Sequence, residues 1–259
     1  MYWQTTRFAI DLSRPRVMGI VNVTPDSFSD GGDHASPDAA IAHCERLVHE
    51  GADILDIGGE STRPGSPPLP LEEELARLLP VVRVALTLGV PVSVDTYKPQ
   101  VMRQVLDLGA DIINDIWALR QPGAAALVAA HASCGLCLMH MHREPQTMQG
   151  DPLPLVAAFL RDAAAGLQAR GVQARRIVVD PGIGFGKTVE QNFALLARQT
   201  ELRALGYPVL AGWSHKSSLG AASGLAARER VAVRAVAAQL GSKEGASVLR
   251  GQHARAPAE

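Results

Sequence analysis

The sequence predicts an α/β fold of the (β/α)8 TIM-barrel class, and three observations carry that prediction. Short apolar runs alternate with amphipathic stretches along the chain, the runs are apolar on both faces, and a Gly-Ala pair recurs between a helical stretch and the next run. A strand buried on both faces reads as a near-continuous apolar run, and strict alternation with helices implies a parallel sheet. Roughly eight such units fit a closed barrel better than an open doubly wound sheet. The 259 residues match the usual size of a barrel folded as a single domain.

In chain order, the strand candidates lie near 17–23, 53–57, 90–94, 111–114, 135–140, 176–180, 207–212 and 246–249. The second, fourth and eighth follow Gly51-Ala52-Asp53-Ile54, Gly109-Ala110-Asp111-Ile112 and Gly245-Ala246-Ser247-Val248. In each, the glycine takes the left-handed position that ends a helix, and the β-branched residues after it prefer extended backbone. VPVSV, DIIN and RIVV are apolar enough to be covered on both sides. Amphipathic stretches near 37–50, 71–88, 98–108, 123–132, 153–170, 188–204 and 226–243 are the helices between them. No linker or low-complexity segment divides 1–259, so one domain is expected. Only six residues follow His253, Pro257 among them, so the barrel is expected to lack a full last helix.

Composition excludes several classes. Hydrophobic residues make up 47% and charged residues 20%, the balance of a soluble globular chain. A formal net charge of -1 with no basic stripe argues against nucleic acid or an anionic membrane as partner. Charges interrupt every apolar stretch of MYWQTTRFAIDLSRPRVMGIV, which leaves neither a signal-peptide core nor a span, and the expected location is cytoplasmic. Of Cys44, Cys134 and Cys137, the last two form a CxxC. On a strand, residues three apart face opposite ways, which suits small buried hydrophobes better than zinc or a redox pair.

A barrel of this class builds its active site at the C-terminal ends of its strands. Polar residues stand there repeatedly: Asn22, Asp56, Asp95, Asn114 and Asp115, His140 and His142, Asp180, and Ser214-His215-Lys216. One such carboxylate is ordinarily a turn or cap residue, but the repetition points to a site. Carboxylates and an amide converging with one lysine match the ring N–H, amino donors and carbonyl of a planar heterocycle. A pterin is one; purines and flavins offer similar edges. DPGIGFGKT at 180–188 has Pro181 where a P-loop needs glycine and Lys187 where the dinucleotide fingerprint needs its third, so it reads as a glycine-rich loop allowing close ligand approach. His140 and His142 share a strand face, but with no third ligand nearby they read as loop or core histidines.

The ordered segments MGIVNVTPDSFSDGG (18–32), DIGGESTRPGS (56–66), SVDTYKP (93–99), IND (113–115), DPGIGFGKT (180–188) and SHKSSLG (214–220) resemble the dihydropteroate synthase family along nearly the whole chain. The resemblance implies condensation of a dihydropterin pyrophosphate with p-aminobenzoate in folate biosynthesis. It implies a pterin pocket of Asp95, Asn114, Asp180 and Lys216, with Asp95, Asp180 and Lys216 as the catalytic groups. Asn22 is implied as the Mg2+-side anchor of the pyrophosphate, with Thr62, Arg63, Arg250 and His253 on phosphate oxygens. Phe28, Thr62, Pro64 and Ser217 would bound a p-aminobenzoate pocket that sulfonamides also enter. Mg2+ as cofactor and a homodimer are implied in the same way. The aniline nitrogen would attack the pterin methylene as pyrophosphate leaves, and anionic Asp95 and Asp180 would face the cation that develops. The Gly, Pro, Ser and Asp content of 24–34 and 61–70 fits lids over the barrel mouth.

Two departures stand out. His215 occupies the family's usual arginine position, which makes charge there pH-dependent. The tail reads Arg250-Gly251-Gln252-His253-Ala254, with the histidine displaced by one residue from the family's Arg-x-His-Asp. The alternatives are a methyltetrahydrofolate-binding methyltransferase module and a catalytically inert pterin-binding homologue. STRPGS and Lys216-Ser217 suit a pyrophosphate substrate better than the first.

Overall fold

A computed structural model describes residues 1–24, 37–61, 67–141, 148–213 and 231–252. Among these residues a hairpin, β1 (Tyr2–Gln4) and β2 (Ala9–Asp11), precedes eight parallel strands. These are β3 (Arg16–Asn22), β4 (Ile54–Gly58), β5 (Val92–Asp95), β6 (Ile112–Asp115), β7 (Gly135–Met139), β8 (Ile177–Asp180), β9 (Leu210–Gly212) and β10 (Val248–Gly251). They neighbour one another in the order β8-β7-β6-β5-β4-β3-β10-β9. A parallel bridge of Val179 with Val209, where the Val179 N–H donates to the Pro208 carbonyl at 3.0 Å, joins β8 to β9 and closes the ring. The fold is the TIM barrel that the alternation predicts, and each strand lies within two or three residues of its expected place.

The helices among the described residues are α1 (Pro37–His49), α2 (Leu71–Ala85), α3 (Pro99–Asp107), α4 (Ala124–Ala130), α5 (Pro152–Gln168), α6 (Val189–Ala197), the single turn α7 (Gln199–Leu202) and α8 (Val231–Lys243). One continuous helix was expected over 188–204. It breaks at Arg198 (φ −118°, ψ 17°), whose guanidinium reaches out to Asp151 and Glu201. The question of a last helix falls on residues outside the described ones.

The Gly-Ala echo has one physical cause at all three places. Gly51, Gly109 and Gly245 have φ of +97°, +101° and +92°, the left-handed conformation that ends a helix. The alanine N–H then reaches back to the helix at 2.9 Å in each case, to Leu47, Val105 and Gly241. The next residue donates to the neighbouring strand: Asp53 to Val17, Asp111 to Val92 and Ser247 to Val209, at 2.8–2.9 Å. Where that residue is aspartate, its side chain also takes a strand N–H, from Val17 and Val92 respectively.

Strand alternation divides the core in two. Outward residues such as Val21, Ile57, Val94, Ile113, Leu138 and Val179 pack under the helices. Inward residues at the N-terminal end, among them Met18, Ile54, Ile112, Cys137, Val178 and Leu210, form a separate apolar floor with Trp3, Ile10 and Leu12 of the N-terminal segment. The sequence reading missed this hairpin, which plugs the barrel from below. Trp3 is fully buried and its Nε1 donates to the Arg176 carbonyl at 2.9 Å. Gly135 makes room for it, since a Cβ there would lie 3.1 Å from that nitrogen. Arg7 straps the hairpin down through a 2.6 Å ion pair with buried Asp111. Cys134 belongs to the outer core and Cys137 to the floor, so the CxxC pair faces two ways as expected.

Candidate active site at the barrel mouth

Period two and the parallel register decide which strand-end residues look inward. Asp56 lies opposite Ser93, Gly58 opposite Asp95, and Asp95 opposite Asn114. Asp95 and Asn114 therefore share a level near the mouth, and Asp56 sits one inward pair deeper. Neighbouring Asp115 has the other parity and a different task. Its buried carboxylate accepts the backbone N–H groups of Trp117 and Leu119 at 2.7 and 2.8 Å, in a turn where Ala118 and Leu119 hold left-handed φ of 52° and 60°. Asp115→Ala is expected to cost about 1.5–3 kcal/mol, the loss of hydrogen bonds to a charged group, read as a lower melting temperature. An unchanged melt would show that the turn needs no acceptor.

Asp95, Asn114, Asp180 and Arg250 line one cavity with apolar Ile116, Met139, Ile183 and Phe185. Arg250, on β10, turns inward: its Nη2 lies 2.6 Å from Asp95 Oδ2 and its Nε 2.6 Å from Asp56 Oδ2. The two ion pairs use Nε and Nη2, so the phosphate contact expected of it falls to the remaining N–H donors of the guanidinium. Asp95 Oδ1 is buried and has no hydrogen-bond partner among the described residues, so an acceptor is left for a ligand donor. Burial raises the Asp95 carboxyl to about 7; Arg250 opposes the rise, and the like charges of Asp56, Asp115 and Glu74 add to it.

Asp180 ends β8, and its Oδ1 accepts the Gly182 N–H at 2.7 Å. Gly182 has φ +69°, and any Cβ there would run into the His140 carbonyl oxygen. The glycine-rich loop was expected to admit a ligand closely; at Gly182 it admits the protein's own backbone instead. Buried Lys187 donates to the carbonyls of His140, Gly182 and Phe185 at 3.2, 2.8 and 3.1 Å, tying the loop together. Thr188 forms a capping box with Gln191 at the start of α6. The Gly-Lys-Thr that ends like a P-loop is thus a loop clamp and a helix cap. His140 packs edge-on against Phe159, with ring centroids 5.0 Å apart.

Asn22, half-buried at the end of β3, pairs with Gly58, and a Cβ on that glycine would lie 3.8 Å from Asn22 Oδ1 and 3.5 Å from the Cβ of Asp95, so Asn22 sits at the edge of the same mouth. Phe28, Thr62, Arg63, Pro64, His142, His215, Lys216, Ser217 and His253 lie outside the described residues. Among the described residues no group of three or more His, Cys, Asp or Glu could hold a metal ion. Sequence reasoning placed Asp56 among the strand-end polar residues but gave it no role, and missed Ser93 and the four apolar lining residues. The signal was present for Asp56 and Ser93, because each stands two positions before an inward mouth residue, Gly58 and Asp95.

A family model described as pterin binding enzyme matches residues 18–251. A dihydropteroate synthase of Neisseria meningitidis serogroup B is 46% identical, with 99% of this chain and 94% of that protein covered. The solved structure of Xanthomonas albilineans dihydropteroate synthase with 4-aminobenzoic acid superposes with a TM-score of 0.93 at 47% identity, covering 99% of this chain and 94% of that one. That of Burkholderia cenocepacia dihydropteroate synthase with 7,8-dihydropteroate gives 0.90 at 48% identity, covering 98% and 92%.

Proposed function

The chain belongs to the pterin-binding enzymes and, among them, to the dihydropteroate synthases, and from that membership we infer the chemistry of its barrel mouth. It is a transferase that joins 6-hydroxymethyl-7,8-dihydropterin pyrophosphate to p-aminobenzoate, giving 7,8-dihydropteroate and pyrophosphate. The observation that carries the assignment of roles is the convergence of Asp95, Asn114, Asp180 and Arg250 on one cavity at the C-terminal end of the barrel. Asp95 and Asn114 present acceptors to the ring's N–H and amino donors, Asp180 joins them across the barrel, and the apolar residues flank the ring. Lys216 meets the ring carbonyl. As the bond to pyrophosphate lengthens, positive charge spreads into the dihydropterin, and the two carboxylates stand where it develops. The arylamine is neutral and nucleophilic, so no strong base is required.

Thr62, Arg63, Arg250 and His253 take the phosphate side in this reading, and Phe28, Thr62, Pro64 and Ser217 bound the p-aminobenzoate pocket, which sulfonamides share. Asn22 offers one neutral amide oxygen, and with no acidic cluster among the described residues Mg2+ would fit as a companion of the substrate's pyrophosphate, with Asn22 as a residue that would hold it. When bound, Mg2+ neutralises charge on the leaving group. The chain works in the cytoplasm, in keeping with three buried free cysteines and with the lack, among the described residues, of a helix long and apolar enough to cross a membrane. It assembles as a homodimer; Val236 and Leu240, exposed one turn apart on α8, supply apolar surface for a subunit contact.

A pyrophosphate-release assay with the pterin pyrophosphate tests the reading. Release should require p-aminobenzoate and fall when Mg2+ is chelated; pterin binding without release would establish the inert homologue instead. The same assay carries a pH prediction. Asp95 must be ionised to act, and its raised carboxyl leaves the neutral acid increasingly populated as pH falls through about 7. kcat/KM, which reports groups of the free enzyme, is therefore expected to decline on the acid side of that value. A profile flat from roughly pH 5.5 to 8 would remove Asp95 from the reaction.

A further inference from the structure

Asp56 is fully buried and does not line the cavity. Three side chains nevertheless converge on it: Ser93 Oγ donates to Oδ1 at 2.6 Å, while Asn114 Nδ2 and Arg250 Nε donate to Oδ2 at 3.1 and 2.6 Å. Two of these donors, Asn114 and Arg250, do line the cavity, and Arg250 continues to Asp95. We propose that Asp56 is a positioning residue for this reaction, one that fixes which end of the Asn114 amide faces the pterin and shares the Arg250 guanidinium with Asp95. The proposal rests on the dihydropteroate synthase reading and deepens it.

The first half follows from what a carboxylate can do. Both Asp56 oxygens accept from neighbouring donors, Oδ2 taking the NH2 end of the Asn114 amide, which leaves the amide's carbonyl oxygen for the ligand. Beside it on the adjacent strand stands the unpartnered Oδ1 of Asp95. The mouth therefore offers two neighbouring acceptors, matched by a ring edge with two neighbouring donors. The second half concerns charge. Asp95 touches Arg250 from β10 and feels the charges of Asp56 from β4, Asp115 from β6 and Glu74 from α2. The Arg250 fork is divided between Asp56 and Asp95, so the negative charge at Asp95 is set from one layer below.

Asp56→Asn in the full-length enzyme removes a repulsion from Asp95 and releases the guanidinium to it, and both changes favour the Asp95 anion. The acid limb of kcat/KM is expected to move down by about one pH unit, while kcat above the limb falls several-fold because the Asn114 amide is free to flip. A purely structural role would lower the melting temperature and the active fraction without moving the limb. Arg250→Lys supplies the opposite arm, since a compact ammonium cannot span two carboxylates and Asp95 loses part of its partner. Its limb should move up. The same shifts are to be read in calorimetric binding of 6-hydroxymethyl-7,8-dihydropterin, which needs no turnover. Opposite shifts support the proposal; unmoved limbs, or two shifts in one direction, overturn it. If Asp56→Asn does not fold, the lysine variant decides alone, an upward limb supporting and any other result overturning. Failure of the enzymatic reading itself would appear in the unaltered chain, which would release no pyrophosphate.

Discussion

Asp95→Asn is expected to lower kcat by about a hundred- to a thousandfold above the Asp95 titration, with the melting temperature held or raised. The replacement keeps the shape but removes the charge set against the developing pterin cation. It also leaves Arg250 with Asp56 as its one carboxylate, so the cavity becomes more positive by a full charge at the step that creates positive charge. The amide NH2 will either face the ring's donors, in place of the free Oδ1, or meet Arg250; neither arrangement restores the original set. Stability should not suffer, because the native carboxylate is already penalised by burial. Pyrophosphate release gives kcat and calorimetry the melt. A kcat within threefold of the unaltered enzyme would refute the electrostatic role, and the acid limb near 7 should vanish with the carboxylate.

Trp3→Ala is expected to cost about 3–5 kcal/mol and to lower the melting temperature by on the order of 10 °C, with kcat at moderate temperature unchanged. Trp3 fills the floor under Met18, Ile54 and Ile112, at the end of the barrel opposite the site, and cannot be replaced there by water without leaving apolar walls exposed. Trp3→Phe separates the two contributions: it keeps most of the packing and loses the bond to the Arg176 carbonyl, about 1 kcal/mol. If the alanine variant melts with the unaltered chain, the hairpin is an ornament on a barrel that closes without it.

The barrel was legible because its sequence signals are repeated and local. Gly51, Gly109 and Gly245 each need a left-handed backbone, and each is followed by residues that hydrogen-bond into the sheet in the same way. Strand ends were equally legible, which is why Asp95, Asn114 and Asp180 were found. The hairpin was not, since strands of three residues carry too little period-two pattern to be seen, and its value lies in contacts such as Arg7 with Asp111, 104 positions away. The inward turn of Arg250 was hidden for the same reason. A long flexible side chain at a strand end reaches either a substrate or the barrel interior, and only the position of Asp56 on a distant strand decides between them. The break at Arg198 escaped because no glycine or proline marks it.

Two buried carboxylates and a part-buried guanidinium paired inside the barrel set folding against catalysis. Buried charges of this kind recover in mutual attraction little more than they lose in hydration, and well-packed apolar side chains of similar volume are often more stable by about 1–4 kcal/mol. Replacement of Asp56, Asp95 and Arg250 together by aliphatic residues should therefore give a chain that melts higher and makes nothing. Selection for thermal hardiness alone would erode this layer first, and so would any consensus or computational redesign that scores the apo fold. The three charges thus mark the layer of the barrel where the needs of the reaction and those of the fold pull in opposite directions.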